Sequence, residues 1–321
     1  MLESCRMTLL EVNNISKTFP GRNGAIVRAV SDVSFCVEDG EVLGVVGESG
    51  CGKSTLGRSL LRLIEPSAGE VLYEGRDIIG LNRKDMKSVR RDLQIIFQDP
   101  FGSLNPRHKV GHLIGEPLDV HDIGSRTQRL EKVKELVEIV GLPQNAIDRY
   151  PHEFSGGQRQ RIAIARALAL DPKLIVADEA VSALDVSIQS QIINLIAKLQ
   201  KRLSLSIIFI SHDLSVIRHV SDRIAVMYLG RIVEIGPTER VMANPRHPYT
   251  HSLLSAIPRV GEKKSRSNLS GEVPDPSDPP SGCAFHSRCP KVMDICKQVR
   301  PKLMTHFTDV GGEVACHLFD K

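Results

Sequence analysis

The stretch "GESGCGKST" at residues 47–55 decides the fold. It fits the pattern G-x-x-x-x-G-K-[ST], follows the apolar run "EVLGVV" and precedes a helical pattern that begins near Ser54. Glycines let such a loop wrap so that its amides and the helix N-terminus face phosphate groups. Lys53 is expected to reach the β- and γ-phosphates of a nucleotide, and the Ser54 hydroxyl to bind Mg²⁺. The other expected loop residues are Gly47, Glu48, Ser49, Gly50, Cys51, Gly52 and Thr55.

Around this loop, short β-rich runs alternate with helical patterns from residue 1 to about residue 258, as in an α/β domain. The runs "IIF", "LIVA" and "IIFI" are continuously apolar, which is typical of parallel strands covered on both faces. Strands are predicted at 41–47, 93–98, 173–178 and 206–212. Helices are predicted at 54–64, 126–140, 158–170 and 189–203, and loop with a short helix at 99–125.

The composition is that of an ordinary soluble protein, with 41% hydrophobic and 25% charged residues. The net charge of +4 is too balanced to indicate a nucleic-acid partner. No stretch approaches the roughly 20 apolar residues of a membrane span. The N-terminal "MLESCRMTLLEVNN" lacks the features of a signal peptide. We therefore expect a cytosolic, reducing compartment, where clustered cysteines more often bind metal than form disulfides.

A second motif, "LIVADE" at 174–179, is an apolar strand that ends in two carboxylates. An ionised carboxylate at the end of a buried strand needs a partner. Asp178 suits Mg²⁺, directly or through water, and Glu179 is placed to polarise the attacking water as general base.

A third motif, "FSGGQRQR" at 154–161, predicts a second phosphate-binding helix terminus. Ser155 is the expected N-cap, and Gly156 and Gly157 leave backbone amides open before the helix starts. A single nucleotide does not obviously need both termini.

In this order, the three motifs resemble those of the ATPase subunits of ABC transporters, and the resemblance covers residues 8 to about 257. It implies a P-loop NTPase fold: a RecA-like α/β core with a parallel sheet, an antiparallel β subdomain and a helical subdomain at about 99–172. Ala180 departs from the family, which usually has proline after the catalytic glutamate. Further nucleotide ligands that the resemblance implies are Gln98 in "IIFQDP" (also for Mg²⁺), Asp185 in "SALD", Gln158 of "SGGQ", His212 in "FISHD" as the catalytic switch histidine, and Phe19 against adenine.

The resemblance also answers the question of the two termini. Two such domains pair head to tail, and each ATP lies between the phosphate-binding loop of one and the "SGGQ" helix of the other. A helix dipole from a second chain stabilises γ-phosphate charge only when the dimer is closed. ATP binding would then close the dimer, and hydrolysis would release it.

The segments "QDPFGSLNPR" (98–107) and "NPRHPYT" (244–250) resemble the oligopeptide and dipeptide importer branch of the family, and the whole chain its F-type subunit. This implies an ATPase domain at 1–258 and a linker with a C-terminal extension at 259–321. It also implies a D-type ATPase as second subunit, two transmembrane permease subunits and a periplasmic or lipid-anchored peptide-binding protein. The chain would then lie at the cytoplasmic face of the bacterial inner membrane.

The last forty residues carry four cysteines with the spacing C-x5-C-x6-C-x19-C, namely Cys283, Cys289, Cys296 and Cys316. Close C-x2-C pairs of a zinc ribbon are absent, and four thiolates suit either Zn²⁺ or an iron–sulfur cluster. The resemblance implies a [4Fe–4S] cluster at these positions. A segment of about forty residues builds little core alone, which favours a structural role for the cluster. His286 and His317 adjoin the cysteines and are chemically able to replace a thiolate, but we expect them to lie beside the ligands or in solvent. Cys51, by contrast, lies in the phosphate-binding loop, where a helix N-terminus lowers a thiol pKa; we interpret it as a small loop filler rather than a catalytic group.

Three alternatives to peptide import stay open as functions of the chain. Importers of nickel, glutathione or antimicrobial peptides would use a similar subunit, because the ATPase never touches the cargo. A soluble ABC ATPase acting on DNA or ribosomes usually has two ATPase domains or long insertions, which this chain lacks. A nucleotide-dependent redox sensor would use the cysteines as its sensing group.

Overall fold

The computed structural model describes residues 8–21, 24–255, 272–305 and 311–320. They form two compact units. The first takes the described residues up to Val37, those at 42–79 and those from Ser211 onward, and the second takes 38–41 and 80–210. The predicted domain boundary at 258/259 and most of the predicted linker lie outside the described residues, so both stay predictions.

The four predicted strands and the four predicted helices are all present, within a longer series of elements. The strands are β1 (Thr8–Pro20), β2 (Ile26–Glu38), β3 (Val42–Val46), β4 (Ala68–Tyr73), β5 (Arg76–Asp77), β6 (Leu93–Ile96), β7 (Leu174–Asp178), β8 (Ser206–Ser211), β9 (Arg223–Tyr228), β10 (Arg231–Pro237) and β11 (Glu313–Val314). The helices are α1 (Lys53–Leu60), α2 (Arg83–Asp92), α3 (Pro100–Ser103), α4 (Val110–Val120), α5 (Arg126–Ile139), α6 (Gly156–Leu168), α7 (Val186–Leu203), α8 (Leu214–Val220), α9 (Thr238–Ala243), α10 (Pro248–Ser255) and α11 (Asp294–Gln298). Among the described residues, no helix is both long and apolar enough to span a membrane.

The first unit contains the antiparallel β subdomain that the family resemblance implies. Its strands lie in the order β2-β1-β4-β5, and β4 runs antiparallel to both of its neighbours. A second group of strands has the order β11-β10-β9-β3, in which β3 and β9 are parallel. All five residues of β3 are buried, as expected for a short strand with a continuous apolar run. β3 leads directly into the phosphate-binding loop.

The second unit is built on the parallel strands β8-β7-β6. Every residue of β7 and of β8 is buried, which confirms the prediction from their apolar runs. Helices α4, α5 and α6 pack together in the stretch predicted to be a helical subdomain. The prediction of loop with a short helix at 99–125 underestimates this region: α4 covers eleven residues and tolerates Pro117 within it, because buried Leu113, Ile114 and Leu118 hold it in place.

Three helix boundaries differ from prediction because they depend on backbone geometry. The helix α1 ends at Leu60 rather than near residue 64, since Arg62 adopts a left-handed conformation (φ 48°) and Leu63 N–H turns back to the Arg58 carbonyl. The helix α6 begins at Gly156, two residues earlier than predicted, and α7 begins directly after an extended Asp185. A helix end at which a residue other than glycine adopts the left-handed conformation has no sequence pattern that predicts it.

Candidate functional site

The phosphate-binding loop connects β3 to α1 within the first unit. The ammonium group of buried Lys53 donates to the Gly47 carbonyl at 2.9 Å and to the Glu48 carbonyl at 3.0 Å. No side chain caps the amides at the N-terminus of α1, which starts after Gly52. Open amides, a positive helix end and an ammonium group form an anion-binding site of the kind that the motif predicts.

Two glycines in this loop are required by close backbone approaches. Gly52 has a φ of 99°, and a Cβ atom there would lie 1.9 Å from the Ala29 carbonyl oxygen. A Cβ atom at Gly47 would lie 2.1 Å from the Met227 carbonyl oxygen. Any side chain at either position would displace the loop from the strands beside it.

Cys51 is buried in the loop rather than presented as a nucleophile. Burial raises the pKa of its thiol, although the Lys53 ammonium partly counteracts the rise. The net shift is opposite to the lowering expected at a helix N-terminus. These surroundings fit the interpretation of Cys51 as a small residue that fills the loop.

Glu48 makes contacts that the sequence alone does not predict. Its backbone N–H donates to the Tyr249 hydroxyl at 2.9 Å. Its carboxylate accepts two bonds from the Arg288 guanidinium, at 2.8 and 3.0 Å. Tyr249 belongs to "HPYT" and Arg288 to "FHSRC", and nothing in the sequence links either segment to the loop.

In the second unit, the structure brings Gln98 and Glu179 together. The Gln98 side-chain amide donates to the Glu179 carboxylate at 3.2 Å across 81 positions of sequence. Asp178, the last residue of β7, is fully buried. The carboxyl end of β7 therefore presents two acids beside an amide, as a site for Mg²⁺ and an attacking water requires.

Glu179 also has an unusual backbone. Its φ of 47° lies in the left-handed region, which a non-glycine residue rarely adopts. The conformation is fixed from both sides: Glu179 N–H donates to the Ile210 carbonyl at 3.0 Å, and the Glu179 carbonyl accepts from the Ser182 hydroxyl at 3.0 Å. Such strain is found where a side chain must point in one functional direction. Ala180, which follows, is buried.

The "SGGQ" segment starts α6 with a capping box, which confirms Ser155 as the N-cap. The Ser155 hydroxyl accepts from Gln158 N–H at 3.4 Å, and the Gln158 side chain accepts from Ser155 N–H at 3.0 Å. Gly157 is pressed against α7, because a Cβ atom there would lie 2.5 Å from the Ile188 Cγ2 atom. Asp185 is the N-cap of α7. A Cβ atom at Gly156 would lie 3.3 Å from the Leu184 side chain, so the "SALD" segment (182–185) packs against the start of the "SGGQ" helix.

The remaining two expected ligands belong to the first unit. Phe19 lies near the end of β1, with the Lys17 ammonium 5.0 Å from the centre of its ring. His212 is exposed directly after β8, and the next residue, Asp213, caps α8 by accepting from Ser215 N–H at 2.8 Å. Both positions leave an aromatic ring accessible for contact with a nucleotide.

The four tail cysteines belong to the cysteine extension, which we define as residues 283–305 and 311–320. Cys283 N–H donates to the Cys296 carbonyl at 2.8 Å. Burial raises the pKa of Cys283 and of Cys316 to about 11. The thiols of Cys289 and Cys296 add to the rise at both residues, and the thiol of Cys283 adds to the rise at Cys316. The four thiols are therefore near enough to interact electrostatically.

A single metal ion does not fit this arrangement. Within the part of the chain that the structure describes, no three His, Cys, Asp or Glu side chains are placed to hold one ion. The two candidate histidines bind other groups: His286 Nδ1 is 2.9 Å from the Cys283 carbonyl, and His317 Nε2 is 2.8 Å from the Val299 carbonyl. The geometry gives no direct support for a metal site, and the [4Fe–4S] cluster stays a prediction.

Comparison with known proteins agrees with this geometry. Residues 30–182 match the family described as ABC transporter, and residues 233–296 match the oligopeptide/dipeptide transporter C-terminal region. Oligopeptide transport ATP-binding protein AppF of Bacillus subtilis (strain 168) is 51% identical over 327 residues, which cover 97% of this chain and 98% of that protein. A probable peptide ABC transporter ATP-binding protein of Sinorhizobium fredii is 52% identical, covering 97% of this chain and 90% of the relative.

Solved structures show the same fold. The dimeric bacterial ABC transporter cassette MJ0796 is 30% identical, with a TM-score of 0.64 over 70% of this chain and 96% of that chain. Its post-hydrolysis dimer, bound to ADP and phosphate, has a TM-score of 0.65 over 71% of this chain and 98% of that chain. The chain is therefore an ATPase of the ABC transporter family. Within that family it belongs with the ATP-binding subunits of peptide transporters, whose C-terminal region it shares.

Proposed function

We propose that this chain hydrolyses ATP to energise the import of dipeptides or oligopeptides across the bacterial inner membrane. One observation carries the choice of cargo. The match to peptide transport ATP-binding proteins extends through residues 233–296, beyond the residues that match the ABC transporter family. Cargo therefore follows the branch that this C-terminal region defines, rather than the ATPase fold, which serves many transporters.

In this proposal, the phosphate-binding loop and β1 supply the groups that hold the nucleotide. Phe19 stacks on adenine, the loop amides and Lys53 bind the β- and γ-phosphates, and the Ser54 hydroxyl binds Mg²⁺. The uncapped N-terminus of α1 and the burial of Lys53 support these roles. His212 contacts the γ-phosphate.

The carboxyl end of β7 and Gln98 supply the hydrolytic groups in this proposal. Asp178 and Gln98 take part in Mg²⁺ binding, and Glu179 polarises the attacking water. The bond between Gln98 and Glu179 and the fixed left-handed backbone of Glu179 support these roles. The Ser155–Gln158 segment contributes its helix terminus to the ATP held by the partner subunit, and Asp185 contacts that same interface.

The partners of the chain follow from this proposal. We expect a D-type ATPase as the second subunit of a heterodimer, two transmembrane permease subunits and a peptide-binding protein. The chain then associates peripherally with the cytoplasmic face of the membrane. The ABC cassette relatives solved as dimers support pairing between two such chains.

Replacing Glu179 tests the hydrolytic assignment. In the assembled transporter, Glu179→Gln should bind ATP and close the dimer but release phosphate at least about 100-fold more slowly, because general base catalysis contributes that much or more. Glu135→Gln, an exposed residue of the same unit that pairs with Lys132, is the matched control and should turn over normally. Normal phosphate release by Glu179→Gln would contradict the role of Glu179. Uptake of labelled dipeptides and oligopeptides by vesicles tests the cargo separately.

We also propose that the four cysteines hold a [4Fe–4S] cluster with a structural role. Zn²⁺ binds thiolates at about 2.3 Å, so its four sulfurs crowd around one point. A cluster places several metal atoms between its thiolates. The choice of the cluster over Zn²⁺ rests on the family resemblance, and the structure adds only that the other three thiols help to raise the pKa of Cys316. When bound, the cluster would join three separate segments of an extension too small to build a large core.

Metal analysis tests this assignment. Full-length protein purified without oxygen should contain iron, acid-labile sulfide and visible absorption, and Cys316→Ser should lose all three. Cys51→Ser, which changes a buried cysteine outside the extension, should keep them. Zinc without iron would favour the alternative ligand set, and neither metal would contradict a metal role for these cysteines.

A further inference from the structure

The Arg288 side chain of the cysteine extension contacts the phosphate-binding loop. Arg288 lies in a 3₁₀ turn, His286–Arg288, immediately before Cys289. Its guanidinium makes a two-pronged pair with the Glu48 carboxylate at 2.8 and 3.0 Å. Glu48 is the second residue of the loop, and its own carbonyl accepts a bond from Lys53. Arg288, Glu48 and Lys53 thus form a continuous path of hydrogen bonds.

The Arg288–Glu48 pair compensates the negative charge that Glu48 brings into the loop. A carboxylate within a phosphate-binding loop repels the polyphosphate that the loop binds, unless a cation compensates it. The Arg288 side chain is 4% exposed, so little solvent screens the pair. Hydrogen bonding to Glu48 raises the pKa of Arg288, and the guanidinium stays charged throughout. A two-pronged pair fixes the direction of the carboxylate as well as its charge.

Buried aromatic rings hold the pair in place. Phe285, three residues before Arg288, packs with ring centres 5.3 Å from Tyr228 and 5.4 Å from Tyr249. The two tyrosine rings are 4.6 Å apart, and all three rings are buried. The Tyr249 hydroxyl accepts from Glu48 N–H, so this cluster fixes the Glu48 backbone while Arg288 fixes its side chain.

We infer that Arg288 and Tyr249 are positioning residues for the phosphate-binding loop: they compensate the charge of Glu48 and hold it so that Lys53 and the loop amides face ATP. The inference rests on the proposed role of this loop in ATP binding. It assigns the cysteine extension a part in nucleotide affinity, besides its match to the C-terminal region of peptide transporters. The Arg288 side chain acts through its bonds to Glu48, so the expected effect falls on affinity rather than on the rate of the chemical step.

The test compares Arg288→Gln with Arg288→Lys in the full-length chain and in the assembled transporter. We expect Arg288→Gln to weaken the binding of MgATP by about tenfold and to raise KM by the same factor, with kcat changed less than twofold. Arg288→Lys restores the charge but not the two-pronged geometry, so it should recover part of the affinity. Titration calorimetry gives the dissociation constant, and phosphate release gives KM and kcat.

Arg300→Gln is the matched control, because Arg300 also lies in the cysteine extension and pairs with Asp32 at 2.8 Å, away from the loop. It should bind MgATP as the wild type does. Tyr249→Phe keeps the ring and removes only the hydroxyl that accepts from Glu48 N–H, so it tests the same inference if Arg288→Gln does not fold. We expect a threefold or greater loss of MgATP affinity in Tyr249→Phe, which should still fold and unfold cooperatively.

Wild-type affinity in a folded Arg288→Gln, or in Tyr249→Phe where Arg288→Gln is unfolded, would overturn the inference. So would a fall in kcat at constant KM, which a general distortion of the fold predicts. Neither result would affect the proposed ATPase, because that stands or falls with wild-type ATP binding and with the Glu179→Gln variant.

Discussion

The phosphate-binding loop and the cysteine extension belong to the same unit, but different interactions hold them. Lys53 bonds to carbonyls five and six residues before it, so the loop closes on itself over a short stretch of chain. Arg288 instead bonds to a carboxylate 240 residues away, and Phe285 packs on rings from two other elements. The loop is held mainly by its own backbone, whereas the extension is held by these side chains together with the short backbone pairing of β11 with β10.

This difference explains how each region responds to substitution. A loop held by backbone geometry tolerates changes in its outward side chains but not a new Cβ atom at a close approach. A small extension held by a few buried side chains depends on each of them, because it has little core of its own. Substitutions in the loop and in the extension should therefore differ in their effects on stability and on ATP binding.

The largest expected effect comes from Gly52→Ala in the loop. The new Cβ atom would lie 1.9 Å from the Ala29 carbonyl oxygen, and a φ of 99° is strained for alanine. We expect a loss of about 3 kcal/mol in the free energy of unfolding, from overpacking and backbone strain together. Binding of MgATP should fall at least about 100-fold, because the amides at the start of α1 move. Urea unfolding and titration calorimetry measure the two effects.

Gly75→Ala is the control for this variant. Gly75 has a comparable φ of 77°, but a Cβ atom there, in the turn between β4 and β5, would meet nothing within 4 Å. It should lose only about 1 kcal/mol, the strain of the left-handed conformation, and should bind MgATP normally. Equal losses in the free energy of unfolding would mean that backbone strain, rather than the close approach to Ala29, explains the effect of Gly52→Ala. In that case the loop would be less dependent on its neighbours than we describe.

The contrast between the loop and the extension also shows which features the sequence predicts well. The loop, the Ser155 cap and the buried strands β3, β7 and β8 are each defined by neighbouring residues, so a contiguous pattern is enough to find them. The place of Gln98 in the same site as Glu179 depends on family resemblance, because neither residue signals the other across 81 positions.

Other features have no signal of their own. Glu179 carries no mark of its left-handed backbone, because the bonds that hold it come from Ile210 and Ser182. The Arg288–Glu48 pair requires two distant segments to be joined, and no pattern in one sequence does that. Single-residue geometry and long-range side-chain pairs are set by tertiary structure, so the sequence identifies the extension by its cysteines and not by the residues that hold it in place.

A change in pH should have a smaller effect on the free energy of unfolding. This effect comes from His247, which packs against the extension. The ring of His247 is fully buried and lies 5.8 Å from the Phe285 ring. Burial lowers the pKa of His247 to about 3. Since the pKa in the unfolded chain is about 6.5, the unfolded state binds more protons between these values, and stability falls as the pH falls. From pH 7 to pH 5 the free energy of unfolding should decrease by about 2 kcal/mol from this residue.

His247→Asn isolates this contribution. The Nδ1 atom of His247 accepts from Tyr249 N–H at 3.1 Å, and the asparagine carbonyl oxygen can accept the same bond without titrating. Urea unfolding at pH 7 and pH 5 should show a smaller pH dependence in His247→Asn than in the wild type, by about 2 kcal/mol. An unchanged pH dependence would show that the packing of the extension does not depend on a neutral His247.

The smallest effect on the free energy of unfolding is expected from Arg300, an exposed residue of the extension. Arg300 pairs with Asp32 at 2.8 Å, a distance no longer than that of the Arg288–Glu48 pair, but its side chain is 45% exposed where that of Arg288 is 4% exposed. Solvent screens an exposed pair, and ordering two long side chains offsets much of its attraction. Arg300→Gln should therefore change the free energy of unfolding by about 0.5 kcal/mol or less, and salt should reduce even that. A loss as large as that of Arg288→Gln in the same urea titration would mean that contact distance, rather than burial, decides which arginine secures the extension.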